Sequence, residues 1–218
     1  MTPTLEFDSI QLEYDFRQVL ASVYMRCNVG EIVGLLGRNG SGKSSLMKIV
    51  FGTLSCPYRS VRINGRALTN SSSQKHIGYL PQHHFVPPFL SVREALKIFR
   101  LSPDWVVEKI PEAENWLTLK PRQLSGGNLR LVETLLILGT NTKFCILDEP
   151  FSGLAPLYIR LLHNIICEER ERKGILITDH LYRQVTAVSD RLYVLVNGKT
   201  YLVQHPDELI SFGYTNAL

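Results

Sequence analysis

"EIVGLLGRNGSGKSSLMKIVFG", residues 31–52, joins three kinds of sequence in one run. Its opening, EIVGLLG, is almost continuously apolar, the pattern of a strand buried on both faces, as in a parallel sheet. Glycines 37, 40 and 42 then open a loop, and KSSLMKIVFG has the form of a short helix closed by Gly52. Strand, loop and helix in that order are the context that G-x-x-x-x-G-K-[ST] requires, and Gly37, Gly42, Lys43 and Ser44 fill its fixed positions. Glycines let the main chain pass close enough for successive N–H groups to face phosphate oxygens. Lys43 is then expected at the β- and γ-phosphates, the Ser44 hydroxyl suits Mg²⁺, and the helix start adds the positive end of its dipole.

Downstream, KFCILDEP (143–150) supplies an acidic complement. Its buried strand ends in Asp148, at the carboxyl edge where open α/β sheets bind ligands. Asp148 is expected to hold Mg²⁺ through the ion's hydration shell, and Glu149 to polarise an attacking water as general base. A second glycine pair stands in LSGGN (124–128). Ser125 suits an N-cap for a helix starting at Gly126, with Leu129, Val132, Leu135 and Leu136 on a core-facing side. Local physics leaves two readings of it: a plain capped helix, or open N–H groups that meet an anion.

Around these motifs, TLEFDSIQLEY and QVLASVYMRCNV alternate as two antiparallel strands, and SVRING and KHIGYLPQ read as further strands. Ser91 and Ser102 precede helically spaced runs, which predicts a small helical segment over 90–124. GILITDH is another buried strand, and DRLYVLVNGKTYLV a hairpin turning at Asn197-Gly198. HPDELI suggests a closing helix and NSSSQ (70–74) an exposed loop. The pattern predicts an α/β fold with a mainly parallel sheet.

Composition narrows the function classes. The chain has 218 residues, 44% hydrophobic and 20% charged, with a net charge of +4 and no cluster of Lys/Arg with interleaved aromatics. No nucleic-acid partner is expected. Cys27, Cys56, Cys145 and Cys167 have no metal spacing and read as reduced thiols. The amino terminus lacks the form of a signal peptide, and no apolar run approaches the ~20 residues of a membrane span. A cytoplasmic chain is expected, peripheral to a membrane only through a partner.

These motifs, in this order, resemble the ATP-binding cassette (ABC) ATPases over nearly the whole chain. GRNGSGKSS matches the family's Walker A, which adds Arg38, Asn39, Gly40, Ser41 and Ser45 to the ATP-binding set. YLPQHH resembles the Q-loop, with Gln82 as a Mg²⁺ and water ligand that senses a membrane partner. LSGGN resembles the signature, CILDEP the Walker B with its glutamate, and ITDH the switch histidine, His180, a γ-phosphate contact. Tyr14 matches the aromatic that stacks on adenine, with Phe16 the second candidate. The resemblance implies a P-loop NTPase fold of the ABC type, with an antiparallel N-terminal β subdomain and a small helical subdomain. It makes residues 1–218 one domain, with 1–89 and 125–218 as the core lobe and 90–124 as the helical subdomain.

It also implies ATP and Mg²⁺ as ligands, a head-to-tail homodimer or pair with a close paralogue, and a separate transmembrane permease. Ser125, Gly126 and Gly127 of one cassette would then close the ATP site of the other. Two positions depart from the pattern. Asn128 replaces the usual Gln and weakens a capping box, and Ala155 in FSGLAP replaces the aspartate that couples the two sites. Two alternatives to a transport ATPase are a non-hydrolytic ATP-dependent switch, which Ala155 favours, and a soluble cassette of the translation or repair type. The latter usually carries paired cassettes or long insertions, absent here. Phe85 and Phe89 fit a partner groove or the core of the helical segment equally.

Overall fold

The computed structural model describes residues 2–205 and 207–213. In chain order its elements are β1 (Thr4–Tyr14), β2 (Arg17–Leu20), β3 (Tyr24–Asn28), β4 (Ile32–Leu36), α1 (Lys43–Phe51), β5 (Tyr58–Ile63), β6 (Arg66–Ala67), α2 (Asn70–His76) and β7 (Ile77–Leu80). There follow α3 (Val92–Ile98), α4 (Pro103–Lys109), α5 (Gly126–Gly139), β8 (Phe144–Asp148), α6 (Pro156–Arg170), β9 (Gly174–Thr178), α7 (Tyr182–Val188), β10 (Arg191–Val196), β11 (Lys199–Val203) and α8 (Glu208–Ser211). Short 3₁₀ turns at Pro111–Trp116 and Pro121–Gln123 lie between α4 and α5.

The central sheet has the order β11-β10-β4-β9-β8-β7, parallel except for β11, which returns from β10 through the Asn197-Gly198 turn. Both turn residues have positive φ, 48° and 74°, the geometry that favours this dipeptide in two-residue hairpins. Alternation along β8 splits the core. Phe144 and Ile146 join β1, β3, β5 and α1 on one side; Cys145 and Leu147 join α5, α6 and α7 on the other. The fold is therefore the mixed α/β class expected, with a mainly parallel sheet and an antiparallel N-terminal sheet of order β2-β1-β5-β6 with β3 on β1.

Three expectations need correction. The strand expected over 18–29 is broken into β2 and β3, which pair with opposite ends of the long β1: Leu20 lies opposite Leu12, and Asn28 opposite Thr4. The polar run NSSSQ is not a loop but most of α2. Thr69 Oγ1 caps it by accepting from Ser72 N at 3.2 Å, and Ser73 is buried under the Arg59 guanidinium, 2.6 Å from its hydroxyl. Finally, α5 is not one-sided. Every residue from Leu129 to Leu138 is buried, so it is a core helix with no solvent stripe.

Between β7 and α5, a capping box at Ser91/Glu94 starts α3, and Ser102 caps α4 with Pro103 in its first turn. Val92, Leu96, Val106, Ile110, Trp116 and Leu117 pack into the same apolar cluster as α5. Phe85 and Phe99 pack against this cluster with tilted rings, centroids 5.9 Å apart, whereas Phe89 is exposed, so Phe85 and Phe89 divide between core and surface. The expected closing helix is the short α8; Pro206, just before it, lies outside the described residues. Among the described residues no helix is long and apolar enough to cross a membrane, and the four cysteines are free thiols.

Lys173, at the amino end of β9, is fully buried, its ammonium donating to the carbonyls of Thr142 (2.6 Å) and Thr140. Burial pushes its pKa down to about 8. The unfolded chain then binds the extra proton between that value and the ordinary lysine range, so stability is reduced below pH 8 and recovers as pH rises. Between pH 7.5 and 9.5 the native protein should gain about 2 kcal/mol relative to Lys173→Met. Urea unfolding of both proteins at the two pH values measures this; parallel pH dependences would refute it.

Candidate active site

Three parallel strands deliver the chemistry to one edge. β4 pairs with β9 and β9 with β8, so the segments after Leu36, after Leu147 and after Thr178 leave the sheet side by side. From β4 the chain enters the glycine loop. Gly42 has φ +103°, and a Cβ there would lie 2.8 Å from Val19 Cγ1, so both backbone and space require glycine. The first bond into α1 runs from Leu46 N to Gly42 O (2.8 Å), which leaves the amides of Lys43, Ser44 and Ser45 ahead of the helical ladder. The Ser41 hydroxyl is buried in the loop without a hydrogen-bond partner among the described residues. An open first turn beside an orphaned hydroxyl fits a phosphate group. Arg38 turns the other way, donating to Gly213 O at 2.7 Å, while Asn39 and Gly40 form the exposed tip.

Lys43 is buried, with Nζ donating to Gly37 O (2.7 Å) and Arg38 O (3.1 Å). Burial lowers its pKa against the opposing field of Glu149, Asp148 and Asp179. Ser44 Oγ donates to Asp148 Oδ1 at 3.2 Å, and the Tyr79 hydroxyl donates to Asp148 Oδ2 at 3.3 Å. Desolvation raises the Asp148 pKa, partly offset by those two bonds. A hydroxyl and a carboxylate in contact form an oxygen donor set suited to Mg²⁺, which retains several waters.

Glu149 has φ 58°, the left-handed region that a non-glycine residue rarely occupies without constraint. Its N–H donates to Thr178 O at 2.7 Å, tying it to β9. His180 Nδ1 lies 3.7 Å from Glu149 Oε2 and 3.3 Å from Asp179 Oδ1. Lys43, Ser44, Asp148, Glu149 and His180 are thus gathered at one edge.

The remaining candidates lie around it. Gln82 is exposed just after β7. Tyr14 is half-exposed at the end of β1, opposite Arg17, in the hairpin whose Val19 abuts Gly42; Phe16, at the hairpin turn, is 99% exposed with φ 62°. Ser125 caps α5 by accepting from Asn128 N at 3.1 Å, and the Asn128 side chain makes no return bond. A Cβ at Gly127 would lie 2.5 Å from Gly153 O, so a side chain is barred there, whereas one at Gly126 would meet nothing within 4 Å. Among the described residues no hydrogen bond joins these three to their own chain's glycine loop.

Sequence reasoning missed three groups. Asp179, buried behind His180, accepts from Phe151 N and Leu181 N, both at 2.9 Å, and so joins the loops after β8 and β9; burial raises its pKa. Arg130, buried in α5, donates to Pro81 O (2.7 Å), Glu149 O (3.1 Å) and Asp148 O. Glu133, fully buried one turn later, accepts from Phe85 N (2.7 Å) and Val86 N (3.2 Å) and pairs with His84 Nδ1 (2.8 Å). The available signal was two opposite charges at i, i+3 inside an otherwise apolar helix.

A family model described as ABC transporter matches residues 20–152. The chain is 33% identical over 223 residues to the lipopolysaccharide export system ATP-binding protein LptB of Haemophilus influenzae, covering 95% of this chain and 92% of that protein. It is 31% identical to the high-affinity branched-chain amino acid transport ATP-binding protein BraG of Pseudomonas aeruginosa, covering 92% and 91% of the two chains. A solved ATP-binding subunit of an ABC transporter superposes with a TM-score of 0.82 at 26% identity over 98% of this chain and 95% of that one. The fold alone is shared with a bacterial Atm1-family ABC exporter with ATP bound (TM-score 0.85, 20% identity, 96% of this chain and 40% of that one). The chain belongs to the ABC transporter family: it is an ATP-binding transport subunit and an ATPase.

Ala155 is the N-cap of α6, in extended geometry with no side-chain bond to the helix. Ala155→Asp should therefore stabilise the protein by about 1 kcal/mol, the usual worth of an acidic N-cap. Denaturant unfolding at neutral pH measures it; an unchanged or lower midpoint would refute the cap geometry.

Proposed function

We propose that two copies of this subunit, or this chain and a close paralogue, pair head to tail around two ATP molecules and drive a separate membrane permease. The observation that carries the reading is the convergence of Ser44, Asp148, Glu149 and His180 at one strand edge, with Ser44 Oγ 3.2 Å from Asp148 and His180 3.7 Å from Glu149. Lys43 releases its two carbonyl acceptors to meet the β- and γ-phosphates, with the amides of Gly40 to Ser45 around them and Gly37 and Arg38 framing the loop. Tyr14 stacks on the adenine. Ser44, Asp148 and Gln82 would hold Mg²⁺, which when bound would neutralise negative charge on the phosphates.

Glu149 accepts a proton from the attacking water, and His180, oriented by Asp179, contacts the γ-phosphate. Gly126, open on its own chain, and Ser125 complete the site of the opposite copy. The chain acts as one domain, with 1–89 and 125–218 as its core lobe. The stroke leaves through Gln82 and the helical segment 90–124, so the subunit works at the cytoplasmic face of a membrane through its permease. Ala155 favours the alternative of a weakly hydrolytic, ATP-dependent dimerisation switch.

Steady-state ATP hydrolysis across a protein concentration series decides between them. The transport-ATPase reading expects a rate that rises more steeply than linearly with protein. Glu149→Gln should lower kcat at least ~100-fold with ATP binding retained, and Ser125→Arg should abolish the cooperative rise. Tight ATP binding without turnover would favour the switch instead.

A further inference from the structure

We infer that Glu133 and Arg130 are positioning residues for hydrolysis: together they hold Gln82 from both sides, at a fixed place relative to Glu149. The inference rests on the roles proposed above for Gln82 and Glu149, and its own basis is a buried bracket on α5. Arg130 grips the chain before Gln82 through Pro81 O (2.7 Å), and the same guanidinium holds the carbonyls of Asp148 and Glu149 (3.1 Å for the latter). Glu133 grips the chain after Gln82 through Phe85 N (2.7 Å), Val86 N (3.2 Å) and the His84 imidazole (2.8 Å). The two side chains are themselves 3.9 Å apart. Only Gln82 and His83 are left to span the gap, and both are exposed.

A buried ion pair gives little net stability compared with apolar packing, so its placement calls for another explanation. Here all three Arg130 nitrogens and Glu133 Oε1 bond main chain of the two segments that carry Gln82 and Glu149, and Glu133 Oε2 takes the His84 imidazole. The same helix begins at Ser125 and Gly126, so a shift of its amino end against a second copy's nucleotide is passed directly to its own Gln82 and Glu149. That route does not pass through the side chain missing at Ala155.

The test compares Glu133→Leu, Glu133→Gln and His84→Ala in the intact protein, with kcat and KM from steady-state ATP hydrolysis and affinity from a fluorescent ATP analogue. Glu133→Leu removes the acceptors for both amides and should lower kcat at least about tenfold, since small displacements at a reacting centre are expensive. Glu133→Gln keeps an oxygen for the amides and should restore kcat to within about threefold of wild type, and His84→Ala should cost about threefold. Nucleotide affinity should stay within about twofold throughout. A folded Glu133→Leu with wild-type kcat would overturn the inference, as would loss of turnover and affinity together or failure of Glu133→Gln to rescue. If Glu133→Leu does not fold, His84→Ala decides: wild-type kcat overturns the inference. Turnover that survives Glu149→Gln in parallel would instead overturn the role of Glu149, and the inference with it.

Discussion

Everything at the site depends on the parallel register of β4, β9 and β8. Gly34 lies opposite Ile177 and Asp148 opposite Thr178, so the three strands end at one level. Because β4, β8 and β9 are buried on both faces, their own positions are confined to apolar or small residues until the sheet edge. Polar chemistry can begin only there, and it begins on all three strands at once: the glycine loop, Asp148-Glu149 and Asp179-His180. Partial burial at that edge strengthens each electrostatic contact and raises the pKa of both Asp148 and Asp179. The resulting site sets preformed dipoles beside two buried carboxylates, which suits charge stabilisation on a phosphoryl group.

Helix α5 adds a second constraint. Its ten consecutive buried residues place it between the sheet and the helical segment, and its charged residues are committed inward. Removing either Arg130 or Glu133 would leave the other buried and unpaired, a much larger penalty than the pair contributes as a unit. The helix is thereby locked to the main chain on both sides of Gln82. Its first residues are free of such ties, apart from the close seat of Gly127 on Gly153. A helix rigid in its body and open at its start is suited to carry a contact made at one end to a loop held at the other.

Local chemistry that acts within a few residues was legible in the sequence. The glycine loop, the caps at Ser91, Ser102 and Ser125 and the Asn197-Gly198 turn depend on neighbours along the chain. What was not legible depends on partners far away in sequence. The run NSSSQ forms α2 because Arg59 reaches Ser73 and Thr69 caps the first turn. The strand expected over 18–29 breaks because β1 is long enough to pair separately with its two halves. Arg130, Glu133 and Asp179 gain their roles only when the acceptors and amides of distant loops are brought to them. Phe85 and Phe89 have equal hydropathy, and only the position of Phe99 separates them.

The claim on which the functional account turns is that each ATP is held by two copies of the chain. The structure of the Glu149→Gln protein crystallised with ATP and Mg²⁺ tests it most directly. The account predicts a head-to-tail pair in which each nucleotide lies between Lys43 and Ser44 of one copy and Ser125 to Gly127 of the other. A nucleotide held by the glycine loop of one copy, with the Ser125 end of every neighbouring chain turned to solvent, would contradict it.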